Sequence, residues 1–116
     1  MKEYQLQIKL INYLKSKKLS KLRFFHIPNQ GVRSIKYKML LASMGMKSGC
    51  PDLILEFKGG KMVYIELKTQ KGSLSKSQKL WQNVSNALKT PHYILKGEIN
   101  DLFIQLNNII TKHYEA

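Results

Sequence analysis

The sequence is poor in cysteine: Cys50 is the only one in 116 residues. One cysteine forms no internal disulfide, which sets aside the disulfide-stapled secreted class and fits a reducing cytoplasm. Long apolar runs are missing too, since no stretch approaches the roughly 20 residues that a membrane-crossing helix needs. The start, Met1-Lys2-Glu3-Tyr4-Gln5, carries an early carboxylate and no apolar segment, so it does not read as a signal peptide. There is no internal repeat, low-complexity tract or dividing linker, and residues 1–116 are expected to form one domain.

Negative charge is the scarcest feature. Seven acidic residues face twenty basic ones, a net charge of +13. Such an excess repels itself unless a polyanion relieves it, and nucleic acid is the usual polyanion. A membrane surface is the rival explanation, but the lysines are spread along the chain instead of stacked on one amphipathic helix. Arginine is scarce as well, with only Arg23 and Arg33. Lysine meets phosphate as a point charge, whereas arginine reads guanine edges bidentately. The composition therefore leans towards recognition of backbone and shape over base sequence.

What is present reads as an α/β chain. Leu6, Leu10 and Leu14 are spaced for one face of a helix over 3–18. Leu22–Ile27 is a short strand stopped by Pro28, and Pro28-Asn29-Gln30-Gly31 has turn chemistry. A helix over 34–44 ends at Gly45, the residue preferred just past a helix C-terminus. Asp52–Phe57 and Met62–Lys68 read as a hairpin around Lys58-Gly59-Gly60-Lys61. Ser75–Leu88 is a helix opened by the S-x-x-Q capping box of Ser75 and Gln78. His92–Leu95 is a strand, and Asn100–Lys112 a final amphipathic helix. The order α-β-α-β-β-α-β-α predicts a mixed central sheet of about four strands flanked by helices.

The few acids sit in an informative place. Asp52 opens one hairpin strand, while Glu66 and Lys68, two apart and so on one face, close the other. The hairpin register follows from the apolar pattern. Leu53, Leu55 and Phe57 alternate with Asp52, Ile54 and Glu56; Val63, Ile65 and Leu67 alternate with Met62, Tyr64, Glu66 and Lys68. Matching the apolar faces requires opposed residue numbers with an even sum. A three-residue loop, Lys58 to Gly60 with Gly60 left-handed, satisfies this and sets Asp52 opposite Glu66. Two carboxylates and an ammonium then converge, which is what a phosphodiesterase using Mg²⁺ or Mn²⁺ needs.

Pro51-Asp52 followed by Glu66-Leu67-Lys68 is the PD-(D/E)xK nuclease signature, and its surroundings narrow the resemblance. Gly45-x3-Gly49-Cys50-Pro51-Asp52-Leu53, Ile65 to Lys68 and Gly72-x-Leu74-Ser75-x2-Gln78 together resemble the virus-type replication-repair nuclease (VRR-NUC) domain. Pro28-Asn29-x-Gly31 and Glu3-x2-Leu6-Gln7 look similar to it as well, so the resemblance spans roughly residues 3–95. It implies a restriction-endonuclease-like fold. It implies Asp52, Glu66 and the Leu67 carbonyl as metal ligands and Lys68 as the catalytic lysine. Glu3 would be an additional carboxylate near the metal, and Gln78 a site residue on the third helix. It also implies cleavage of branched or flapped DNA, in the short phage or bacterial type by a homodimer similar to Holliday-junction resolvases. No function attaches to Cys50.

Each assignment has a plainer competitor. The capping box alone explains Gln78, and Glu3 could be an ordinary first-turn acid. Asn29, Gly31 and Arg33 are either a plain turn or contacts to DNA, and Lys71 and Lys76 are further candidate DNA contacts. His26, His92 and His113 have no metal-ligand spacing and read as structural. Trp81, with Leu80, Val84 and Leu88 at helical spacing, reads as core before base-stacking platform. Leu102, Leu106 and Ile109, with Phe103 and Ile110, read as core first and dimer contact second. A restriction-type nuclease of the same superfamily and a non-cutting basic DNA-binding module are the alternatives to a junction-cleaving enzyme.

Overall fold

The protein's structure, a computed structural model, describes residues 1–27 and 34–114. Its elements are α1 Glu3–Lys17, β1 Leu22–His26, α2 Ile35–Ser43, β2 Leu53–Phe57, β3 Lys61–Lys68, α3 Lys76–Ala87, β4 His92–Lys96 and α4 Ile99–His113. Order and type agree with the sequence expectation throughout, and the bounds differ by single residues. The helix ends form for the expected reasons. The Ser75 hydroxyl accepts from the Gln78 amide while the Gln78 side chain accepts from the Ser75 amide, a complete capping box. Past α2, Met46 N–H donates to the Leu41 carbonyl and Gly45 N–H to that of Ala42. Gly45 has φ +101°, so the pair forms a Schellman closure.

The four strands lie in the order β1-β2-β3-β4, antiparallel for the first two pairings and parallel for β3 with β4. Parallel neighbours need a crossover, and α3 supplies it. In the hairpin Leu53 pairs with Ile65, Leu55 with Val63 and Phe57 with Lys61, the register that the apolar alternation requires. The loop is Lys58 to Gly60 as expected, although Gly59 (φ +83°) joins Gly60 (φ +76°) in the left-handed region.

That register divides the sheet into two unlike faces. Leu53, Leu55, Phe57, Val63, Ile65, Leu67 and Leu95 form one face and are buried with Leu6, Leu10 and Leu14 of α1 and Leu102, Leu106, Ile109 and Ile110 of α4. This is the hydrophobic core, and it absorbs the α4 stripe. The other face presents Ile54, Tyr64, Glu66 and Lys68 towards the side carrying α3. There one expectation is corrected. Trp81, Leu80, Val84 and Leu88 are not core: the only buried residue of α3 is Ser85, and Leu80, Val84 and Leu88 are exposed. Helical spacing marks an apolar stripe, but the leucine-rich core is on the opposite side of the sheet from α3. Helix α2 likewise has no buried residue.

Candidate active site

Asp52, Glu66 and Lys68 are all buried, at 7%, 2% and 8% exposure, on a chain whose other lysines are mostly at the surface. Buried charges demand partners, and two of these hold one another through the backbone. The Asp52 Oδ2 accepts from the Leu67 amide at 2.7 Å, and Glu66 Oε2 accepts from the Asp52 amide at 3.2 Å. Each carboxylate is thus oriented by the strand that carries the other. Lys68, in register two residues beyond Glu66, projects from the same face of β3.

Gln78 serves two ends at once. Its Oε1 closes the capping box on Ser75, and its Nε2 donates to Glu66 Oε1. The helix-capping and site readings of Gln78 are therefore compatible, since a glutamine amide has separate donor and acceptor ends. What brings the first turn of α3 this close is Gly49. It has φ +80°, and a Cβ built there would fall 2.3 Å from the Ser77 carbonyl oxygen. Only glycine allows the loop before Asp52 to lie against the α3 backbone.

The electrostatics of the pair are unfavourable by themselves. Burial, then the charge of Asp52 and a side-chain hydrogen bond with it, push the Glu66 carboxyl up to about 8. Lys68 and the Asp52 amide pull it back without offsetting the rise. Two buried carboxylates short of positive charge fit a divalent cation, whose hard oxygen ligands they would be. Cys50 lies close by. Burial, with the charges of Glu66 and Asp52, raises its thiol pKa, so it stays protonated and is a poor nucleophile.

A cavity of about 230 Å³ opens on this centre, walled by His26, Gly49, Cys50, Asp52, Ser77 and Gln78 among others. His26 was read as structural, yet its Nδ1 lies 2.7 Å from the Asp52 carbonyl oxygen. A carbonyl only accepts, so Nδ1 carries a proton and donates it. Nothing in local spacing announces this, because it depends on the pairing of His26 with Leu53 across β1 and β2. The other two histidines are structural: His113 bonds the Tyr93 hydroxyl at 2.8 Å, and His92 sits half-buried beside Tyr64.

Of the remaining candidates, Glu3 is half-buried in the first turn of α1 and does not join the pair. Among the described residues, no group of three or more His, Cys, Asp or Glu side chains is placed to hold a metal. Lys71 and Lys76 are exposed, one in the loop after β3 and one at the start of α3. Asn29, Gly31 and Arg33 lie outside the described residues. Arg23 is engaged with Glu56 across the sheet at 2.5 Å, which occupies one of the two arginines.

Residues 1–97 match the family model of the VRR-NUC domain. The chain belongs to the VRR-NUC domain family. It is therefore a nuclease of the PD-(D/E)xK-like superfamily. A solved structure described as a VRR_NUC domain protein superposes with a TM-score of 0.76 at 19% identity, over 98% of this chain and 92% of that one. At that identity the likeness speaks for the VRR-NUC fold. No curated protein sequence matches this one.

Proposed function

We propose that the protein is a divalent-metal-dependent, structure-selective endonuclease that hydrolyses phosphodiester bonds in branched DNA, in the manner of a Holliday-junction resolvase. The observation that carries this reading is the reciprocal locking of Asp52 and Glu66, each carboxylate bonded to a backbone amide beside the other. Those two side chains, with the Leu67 carbonyl, would hold Mg²⁺ or Mn²⁺. Such an ion polarises a phosphate and lowers the pKa of its bound water.

The chain's own residues do the rest. Asp52 and Glu66 need no reorganisation, since backbone amides and Gln78 already fix their orientation. Lys68 places an ammonium beside them, where it offsets charge developing on the phosphate or orients the attacking water. Exposed lysines such as Lys71 and Lys76 hold the DNA backbone, and Asn29, Gly31 and Arg33 are proposed to assist. Lysine-based contacts carry little sequence information, which favours a structure-selective enzyme over a restriction-type one.

A homodimer suits a four-way junction, in which two equivalent strands must be cut. The face proposed for it is α2, where Ile35, Met39, Leu40 and Met44 are all exposed. A nine-residue helix with no buried side chain gains little from its own chain, and such short helices are marginal in water. The α4 stripe, the other expected dimer surface, is occupied by the core.

Incubating the protein with a four-way junction, a flap and linear duplex, with Mg²⁺ or with EDTA, tests the reading. Metal-dependent cutting of branched substrates in preference to duplex is expected. Equal cutting of duplex would remove the structure selectivity, and cutting in EDTA would remove the metal. Light scattering with and without junction checks the dimer.

A further inference from the structure

A second cavity, about 490 Å³, lies beside the catalytic one and shares Ser48 and Ser77 with it. Its volume is in the roughly 300–1,000 Å³ range of ligand-sized clefts. Its character is different. The walls are the rings of Tyr64 and Trp81, packed edge to face with centroids 5.8 Å apart. Leu80, Val84 and Leu88 form an apolar rim at 63%, 49% and 72% exposure, and Lys47 lies at its border. Large apolar side chains left in water around a concavity mark a surface that is covered in use.

We propose that this cavity takes an unpaired nucleobase of the DNA substrate, next to the phosphate to be cleaved at the Asp52–Glu66 site. The proposal rests on the nuclease reading and adds a substrate feature to it: a nucleotide free to leave the helical stack. Three observations favour a base over a second copy of the chain. The cavity adjoins the catalytic cleft through the shared Ser48 and Ser77, so a protein seated in it would crowd that cleft. The chain's net charge of +13, with Lys47 at the cavity's border, draws the nucleotide's phosphate to the same place. The walls are aromatic, and an aromatic side chain stacks on any base because every base has a π-face. Fully paired duplex keeps its bases stacked and gains nothing here, whereas a flap or an open junction pays less to deliver one. The cavity thus gives a structural basis for selecting branched over linear DNA without reading sequence.

The test uses the full chain in EDTA, so that binding is seen without cutting. The probes are a flap with 5-iododeoxyuridine in its unpaired strand and a blunt duplex of the same sequence with the label paired. Irradiation should crosslink the flap to Trp81 or Tyr64, mapped by mass spectrometry, and leave the duplex uncrosslinked at those residues. Val84→Gln and Leu88→Gln lie on the exposed rim and leave the fold intact. Combined, they should weaken flap binding by about fivefold or more while duplex affinity changes by less than about twofold. Trp81→Leu should act in the same direction. Crosslinks confined to other residues, or equal weakening for flap and duplex, would overturn the proposal. So would emission from the lone tryptophan that responds to protein dilution and not to flap DNA, since the surface would then be an interface between copies. Metal-dependent cleavage measured on the same preparations separates this outcome from a failure of the nuclease reading, which survives without the base site.

Discussion

The two faces of the β2–β3 hairpin are built from alternate residues of the same strands, and they do opposite things. Leu53, Leu55, Val63 and Ile65 point into a closed apolar core at 0–1% exposure. Glu66 and Lys68, on the alternate positions, are also buried but lie on the face towards α3, where Gln78 meets Glu66. Burial on the first face is favourable by itself, at about 25 cal/mol per Å² of apolar surface. On the second it is costly, and Glu66 shows the cost as a carboxyl pushed up to about 8. Burial therefore means stability on one face and electrostatic tension on the other, which a cation bound as proposed would relieve.

The largest effect expected from breaking this comparison is on turnover. Asp52→Ala or Glu66→Ala should reduce DNA cleavage to background while DNA binding is kept or strengthened, because a negative charge near phosphate is removed. Melting temperature in the absence of metal should hold or rise. Lys68→Ala should lower cleavage by on the order of 10²–10³-fold, with metal affinity less affected. On the other face, Leu55→Ala should cost about 2–5 kcal/mol of stability, read by denaturant titration, with the residual folded protein still cutting.

Gly49→Ala sits between the two kinds of effect. Its added Cβ meets the Ser77 backbone, so the first turn of α3 must shift and carry Gln78 away from Glu66. A loss of about 1–3 kcal/mol in stability is expected together with reduced cleavage. Finer still is the contrast between Gln78→Ala and Ser75→Ala. Each removes one half of the capping box at about 1 kcal/mol. Only Gln78→Ala also removes the amide that orients Glu66, so it alone should lower cleavage, by about 10–100-fold. Equal cleavage in the two variants would reduce Gln78 to a cap.

A further expected effect, which needs no substitution, is a pH slope. Between about 4.5, the ordinary value for a glutamate, and about 8, the folded metal-free protein holds a proton on Glu66 that the unfolded chain has released. Stability of the metal-free protein should therefore fall as pH rises through that window and level off above it. Saturating Mn²⁺ should flatten the slope, because a carboxylate bound to metal takes no proton. Thermal melts across pH, with and without metal, check both statements.

Much of this was legible in the sequence because it is encoded by period-two alternation and a glycine turn. Leu53–Phe57 and Val63–Leu67 fix the register by which residues must be dry, and the same register brings Asp52 to Glu66. The contacts that escaped are those set by elements far apart in sequence. His26 reaches the Asp52 carbonyl only through the β1–β2 pairing. Gln78 is a site residue by resemblance, but that it meets Glu66 because Gly49 admits the α3 backbone is not legible in the sequence. The stripe on α3 was misread for a related reason. Trp81, Val84 and Leu88 have core-like spacing, but spacing does not say which side of the sheet holds the core. Here α1 and α4 already fill it.

The central claim, that the polar face of the hairpin is a cation site, is tested most directly by calorimetric titration of the metal-free protein with Mn²⁺. The titration would be run near pH 7 and near pH 9, for the wild type and for Glu66→Gln. Binding should be tighter at the higher pH, with proton release near pH 7 seen as buffer-dependent heat, and Glu66→Gln should abolish it. Wild-type protein that takes up no Mn²⁺ at either pH, or a Glu66→Gln variant that binds as tightly as the wild type, would contradict the claim.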